Sequence, residues 1–210
     1  MTVSFWIILL AVSLYGLVHS LLASLELKAW ANQRFGEYAV RGYRLFYNFF
    51  AVISLFPVLA LVALLPDQTL YRIPIPWALL AIFGQALALV ALAIGVLQTG
   101  AASFLGLEQL FQLKTQGKES MVTDGLYRWV RHPLYTAGLA FIWLSPVMTA
   151  NLLALYLGFT VYLVVGVYFE ERKLLREFGT AYAEYRRRTP MLVPGLKPGL
   201  LSKHTPVKME

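Results

Sequence analysis

The chain reads as an all-α integral membrane bundle of five transmembrane helices, the last two forming a tight hairpin, with a cytoplasmic helical C-terminal lid. Three observations say so. Hydrophobic residues make up 59% of the 210 residues and charged ones only 14%, with a mean hydropathy of +0.63, far from the soluble average. Charge-free runs at 3–18, 45–66, 73–107 and 132–169 each approach or exceed the ~20 residues that cross a bilayer. The Lys and Arg residues also alternate in the way that sets orientation. With the N-terminus outside, the segments 25–44 and 100–132 carry four each and the tail from 170 carries nine, against Arg72 alone outside.

The first run has no Lys or Arg before it and no small-residue cleavage site, so it reads as a retained span over 3–24 rather than a signal peptide. Spans two and three follow at 45–65 and 77–97, with Pro and Trp residues at their ends. The stretch 133–169 is too long for one tilted helix and suits two spans, 133–149 and 150–169, turning at Ser145, Pro146 and Asn151. The lid, 170–195, opens with a charged helix whose apolar face is Leu174, Leu175 and Phe178. Gly179 can close that helix and Thr180 can start a second one bearing Tyr182 and Tyr185. Residues 1–195 make one domain, and 196–210 a flexible tail.

Composition narrows the chemistry. A chain with no cysteine has no disulfide, thiolate metal site or cysteine nucleophile. The net charge of +7 and pI near 9.7 come from basic residues flanking apolar spans, which marks anionic lipid rather than nucleic acid as the partner. No GxGxxG follows a strand pattern, so no dinucleotide fold is available.

The densest polar chemistry lies at the two ends of the expected hairpin. Glu170 and Glu171 stand where a helix dipole is negative and two adjacent carboxylates are doubly unfavourable. The hairpin brings Arg131, His132 and Pro133 to the same depth. Such a cluster is either an ion-pair staple or a pocket for a small zwitterion, with carboxylates holding an ammonium and cationic or backbone donors holding a carboxylate. Inside the bilayer, polar side chains are costly and so informative. His19, late in span one, can accept a proton from a thiol or contact substrate, or serve only as an interfacial histidine. Arg44 and Asn48, one turn apart, can bind an anionic group of a substrate or only a lipid phosphate and a neighbouring helix. Gln85 and Gln98 read as interhelical hydrogen-bond partners. His204 lies in the tail and carries no role.

The stretch Gly125-Leu126-Tyr127-Arg128-Trp129-Val130-Arg131-His132-Pro133-Leu134-Tyr135, the Glu170-Glu171 pair, and Phe178-Gly179 followed by Tyr182 and Tyr185 resemble the isoprenylcysteine carboxyl methyltransferase-like superfamily of membrane methyltransferases. The resemblance covers about residues 120–195. Looser elements, His19-Ser20, Tyr43-Arg44-Leu45-Phe46-Tyr47 and Phe104-Leu105-Gly106-Leu107-Glu108-Gln109, are similar to its methanethiol S-methyltransferase and NnrU-like branch. The resemblance implies a membrane methyltransferase domain using S-adenosylmethionine, with Arg131, His132, Pro133, Tyr135, Glu170 and Glu171 binding it and Tyr127 and Gly138 shaping its access and packing. It implies S- or O-methylation of a small thiol or another apolar, lipid-like acceptor, with His19, Arg44 and Asn48 on the acceptor side and no metal. The expected location is a membrane, the bacterial inner membrane, with the active site and C-terminus cytoplasmic. The rival readings are an NADPH-dependent membrane reductase of related helical architecture and a non-enzymatic NnrU-like accessory protein.

Overall fold

A computed structural model describes residues 2–111 and 121–196. Helix α1, Val3–Ala23, is capped by the Thr2 hydroxyl, which accepts the Phe5 N–H. Ser24 both ends α1 and caps α2, Leu25–Phe35, and Gly36 then turns the chain into α3, Glu37–Leu64. A short strand β1, Thr69–Arg72, precedes α4, Trp77–Gln98, and two five-residue helices follow, α5 Ala101–Leu105 and α6 Leu107–Phe111. A 3-10 turn over Gly125–Arg128 leads to α7, Pro133–Trp143, strand β2, Val147–Thr149, and α8, Ala150–Arg188.

Four helices are long and apolar enough to cross a membrane: Val3–Ala23, Arg41–Leu64, Trp77–Gln98 and Ala150–Arg188. Such a chain is an integral membrane protein. The segment expected as the fourth span is a shorter apolar helix of 11 residues, because the chain leaves the helix at Leu144 and runs extended into β2. That helix rises only about 17 Å, roughly half a hydrocarbon core. The all-α expectation therefore needs a small correction: β2 pairs antiparallel with β1, Arg72 opposite Val147 and Thr69 opposite Thr149, with an irregularity between Thr69 and Tyr71. A sequence scan sees only two short loops there.

Asn151 belongs to the first turn of α8 rather than to the turn before it. Fully buried, it donates to the Val62 and Leu65 carbonyls at the end of α3, while its own N–H donates to Asp67 Oδ1. It thus satisfies orphan carbonyls of a second helix in a place where water is scarce. The segment 25–44, read as a loop, is mostly helix, and α3 starts well before residue 45. The last expected span and the charged helix after it run on without interruption up to Gly179, inside the 39 residues of α8. About 20 of these suffice to cross the apolar layer, so the charged half projects beyond it. Gly179 breaks the helix with φ 56°, a left-handed backbone that disfavours side chains, as its reading as a helix end anticipated.

Packing is closest where side chains are smallest. A Cβ on Gly16 would stand 2.7 Å from the Tyr162 ring, and one on Gly158 would stand 2.6 Å from Val12 Cγ1. Small residues thus let α1 and α8 approach, as helices do inside bilayers. Phe5, Ile8, Val12, Val58, Ala154 and Leu155 form the buried core between α1, α3 and α8. Helix α4 packs along α7, where the Gln85 amide donates to the Phe141 carbonyl at 2.9 Å. Exposed apolar side chains such as Trp6, Leu10, Phe49, Phe56 and Leu80 cover the outside. The flexible tail expected over 196–210 falls, from residue 197 on, outside the described residues.

Candidate functional site

The Arg131, His132, Glu170 and Glu171 cluster is built by three chain segments meeting at the start of α7. Pro133 occupies the first turn of α7, where its missing N–H costs nothing, and it leaves Arg131 and His132 immediately before the helix. Their backbone N–H groups donate to the Pro190 and Met191 carbonyls at 2.9 and 3.2 Å, and Thr136 Oγ1 donates to the Leu192 carbonyl at 2.6 Å. The chain after α8 is thereby pinned across the opening of α7. The Tyr185 hydroxyl, donating to the Tyr127 carbonyl at 2.6 Å, adds a further tie.

Arg131 and Glu171 are both buried and pair in bidentate fashion, Nε to Oε1 at 2.8 Å and Nη2 to Oε2 at 3.0 Å. The remaining Arg131 nitrogen, Nη1, donates to the Arg186 and Thr189 carbonyls, placing a cation at the negative end of α8. His132 Nε2 stands 2.8 Å from Glu171 Oε1, and the Tyr182 hydroxyl donates to the same oxygen at 2.6 Å. An ionised carboxylate only accepts, so His132 carries a proton on Nε2. Burial alone would raise the Glu171 carboxyl, but hydrogen bonds from His132, Arg131 and Tyr182 outweigh it and hold the group at about 2.

Glu170 differs. Its side chain is 40% exposed, yet its Oε2 is buried and has no hydrogen-bond partner among the described residues. His132 Nδ1 stands 3.6 Å from that oxygen. Tyr135 stacks on the His132 ring, centroids 5.6 Å apart at 26°, and its hydroxyl faces Glu170. Burial, aided by the Glu170 charge, pushes the Tyr127 hydroxyl up to about 12. A Cβ on Gly138, one turn after Tyr135, would meet nothing within 4 Å. Gly125 is needed where it stands: its φ is 61° and a Cβ would collide with the Gln98 amide, whose Oε1 accepts the Leu126 N–H at 3.2 Å.

A second polar group lies within the apolar part of the bundle. His19 Nδ1 is 2.5 Å from the Tyr162 hydroxyl, and the Tyr47 hydroxyl is 2.9 and 2.8 Å from Nδ1 and Nε2. Tyr15 packs beside the imidazole at 5.7 Å. Tyr135 is within electrostatic reach of Tyr162 and Tyr47 as well as Glu170, which links the two clusters. Asn48 donates to the Leu105 carbonyl at 3.2 Å, and Arg44, two turns into α3, is exposed. Sequence reading missed Tyr162: a tyrosine in a long apolar run carries no signal, and only Gly16 on α1, which leaves room for its ring, hinted at it.

The residues fit a zwitterionic cofactor on one observation of this structure, a buried carboxylate oxygen without a hydrogen-bond partner among the described residues, beside an imidazole and two tyrosines. The fold and this site define a helical membrane protein with a polar cluster at one end of its bundle. The phospholipid methyltransferase family profile matches residues 79–181. A methanethiol S-methyltransferase 2 of Bradyrhizobium diazoefficiens is 50% identical over 78 residues, 37% of this chain and 30% of that protein. A methanethiol S-methyltransferase of Crocosphaera subtropica is 29% identical over 191 residues, 86% of this chain and 71% of that protein. A protein-S-isoprenylcysteine O-methyltransferase of Rattus norvegicus is 30% identical over 131 residues, 58% of this chain and 42% of that protein. The chain thus spans less than a third of the Bradyrhizobium relative in its matched part. No solved structure matches it. The chain is thus similar to the phospholipid methyltransferase family and to proteins named as methanethiol S-methyltransferases and protein-S-isoprenylcysteine O-methyltransferases, the likeness that its Arg131-His132-Pro133 and Glu170-Glu171 elements suggested.

Proposed function

We propose that this chain is an S-adenosylmethionine-dependent methyltransferase acting on a small thiol or a similar apolar acceptor. The buried Oε2 of Glu170, which has no hydrogen-bond partner among the described residues and only His132 Nδ1 at 3.6 Å, carries the reading. An unmatched carboxylate oxygen is costly unless a cation meets it, and the ammonium of an amino-acid-bearing cofactor is such a cation. In this reading Glu170, His132 and Tyr135 touch the cofactor. Arg131, Pro133, Glu171 and Tyr127 hold those groups in place, and Gly138 leaves space beside them.

S-adenosylmethionine, when bound, supplies a methyl group on a positively charged sulfur. The protein's own work is then small: to orient, to exclude water and to take a proton. His19 serves for the last. In the tautomer whose Nδ1 donates to Tyr162, Nε2 keeps a lone pair that can accept the proton of a thiol once the Tyr47 hydroxyl, 2.8 Å away, gives way to the acceptor. Asn48 and Arg44 frame the acceptor end of α3. The names of the Bradyrhizobium and Crocosphaera relatives support a thiol acceptor, and that of the Rattus relative a lipid-like one. The expected orientation places both the pocket and the C-terminus on the cytoplasmic side.

Thermal-shift titration of the detergent-purified chain with S-adenosylmethionine, S-adenosylhomocysteine and NADPH tests the cofactor. Both methionine-derived nucleosides should raise the melting temperature, since a ligand that binds only the native state must stabilise it. Glu170→Gln should abolish the shift while leaving unliganded stability within about 0.5 kcal/mol. Stabilisation by NADPH alone, or by none of the three in folded protein, would overturn the proposal.

A further inference from the structure

Outside the site just described, one corner of the molecule combines two features that a lipid would satisfy together. Where α1 ends, α2 folds back and, with the start of α3, leaves an open cleft of about 420 Å³, lined by Leu22, Leu27, Trp30, Phe35, Tyr43 and Phe46. That volume lies within the range of ~300–1,000 Å³ typical of small-molecule sites. The lining is almost wholly apolar. Its one hydroxyl, that of Tyr43, is already used, donating to the Leu22 carbonyl at 2.7 Å. Trp30, Phe35 and Phe46 are all more than half exposed, which places an aromatic rim at the edge of the apolar layer.

One cation stands beside this cleft, and two more, from neighbouring helices, lie within electrostatic reach of it. The Lys28 ammonium of α2 stands 6.0 Å from the centre of the Tyr43 ring. It also feels Arg44 of α3, the neighbour of Tyr43, and Lys173 of α8, one turn past the charge-free run. Partial burial, then repulsion from Lys173 and Arg44, hold the Lys28 ammonium below its usual range. Glu26, two positions earlier on α2, points elsewhere by helix geometry. Like charges brought together at a water-poor boundary cost free energy, and an anion between them would offset that cost.

A free phosphate would use the cations and leave the cleft empty. A neutral apolar molecule would use the cleft and leave the cations repelling one another. We infer that Lys28, Arg44 and Lys173 hold the phosphate of an anionic phospholipid, one of whose acyl chains lies in the cleft between α1, α2 and α3. Arg44 is shared with the acceptor side proposed above and Lys173 lies one turn beyond Glu170 on α8, but the lipid-binding readouts do not depend on methyl transfer.

Native mass spectrometry of the full chain, released from detergent with phosphatidylglycerol or phosphatidylcholine of matched acyl chains, tests it. Thermal shift with the same lipids and with inorganic phosphate accompanies it. Phosphatidylglycerol should bind at least about tenfold more tightly than phosphatidylcholine, and the double variant Lys28→Gln/Lys173→Gln should erase that preference. Gly42→Leu fills the cleft from a position where a Cβ meets nothing within 4 Å, so the fold should survive, as far-UV circular dichroism would show. It should weaken both lipids alike. Equal binding of the two lipids by wild-type protein would overturn the inference, as would a preference that survives the double variant. So would stabilisation by inorganic phosphate equal to that by phosphatidylglycerol, or unaltered lipid binding in Gly42→Leu.

Discussion

Helix α8 carries two polar clusters nine residues apart, about 14 Å along its axis, and they are put together in different ways. At Glu171 the polar groups are closely matched: both carboxylate oxygens are taken, Arg131 reaches the end of its own partner helix, and His132 and Tyr182 fill what remains. At Tyr162 the groups are few and interchangeable, two hydroxyls sharing one imidazole amid hydrocarbon. The first arrangement suits a structural joint, since a buried ion pair holds only when every lone pair is met. The second suits a site where hydrogen bonds must be exchanged. Glu170 stands between the two in character, adjacent to the joint in sequence yet keeping one buried oxygen unmatched.

The comparison breaks most readily at the joint. Glu171→Ala would leave Arg131 buried without its carboxylate, and the expected loss is on the order of 3–5 kcal/mol, read as a large fall in melting temperature or failure to purify in folded form. A loss below about 1 kcal/mol would mean that water reaches the pair and that the joint is only a surface bridge. At the second cluster, Gly16→Leu should cost about 1–3 kcal/mol by driving a side chain into the Tyr162 ring. Its melting temperature should be partly restored by Tyr162→Ala, and no restoration would show that the two helices do not meet there.

Acid gives a graded version of the first test. The Glu171 carboxyl titrates lower in the folded chain, about 2, than its ordinary 4.5, so the unfolded chain binds more protons between those values. Its stabilising effect is complete above about pH 4.5 and is lost as pH falls toward 2. The difference in melting temperature between wild type and Glu171→Gln should therefore shrink across that window. A difference that stays constant would show that the carboxylate is not what the joint depends on. The smallest effect is expected for Tyr162→Phe, which removes one hydrogen bond worth about 0.5–1.5 kcal/mol. If His19 takes a proton in catalysis, that variant should move the pH profile of kcat/KM far more than the melting temperature.

Much of this was open to reading from residues alone, for an identifiable reason. Apolar length is a one-dimensional property, so three of the spans appear within a few residues of their helices. The meeting of Arg131 and His132 with Glu170 and Glu171 followed from charge-free length, because any hairpin of that stretch returns its ends to one depth. A fourth run without charge gave no hint that its first helix would stop after 11 residues, since the turn is made by a strand whose partner lies some 75 residues away. Side-chain direction was hidden too: adjacent glutamates look alike in a sequence, and the helix's 100° step per residue sends one to Arg131 and leaves the other beside Tyr135.

Composition and order along the chain thus set the solvent it lives in, where its long apolar helices lie, and which polar residues share one end of the bundle. Only the packing of the helices settles which carboxylate is fully hydrogen-bonded and which keeps an oxygen without such a bond, that Tyr162 meets His19, and that Lys28 stands beside the ring of Tyr43 at an apolar cleft. Those are contacts between helices, and they depend on rotation and approach distances set by a few small residues, such as Gly16 and Gly158, whose effect appears only when two surfaces meet.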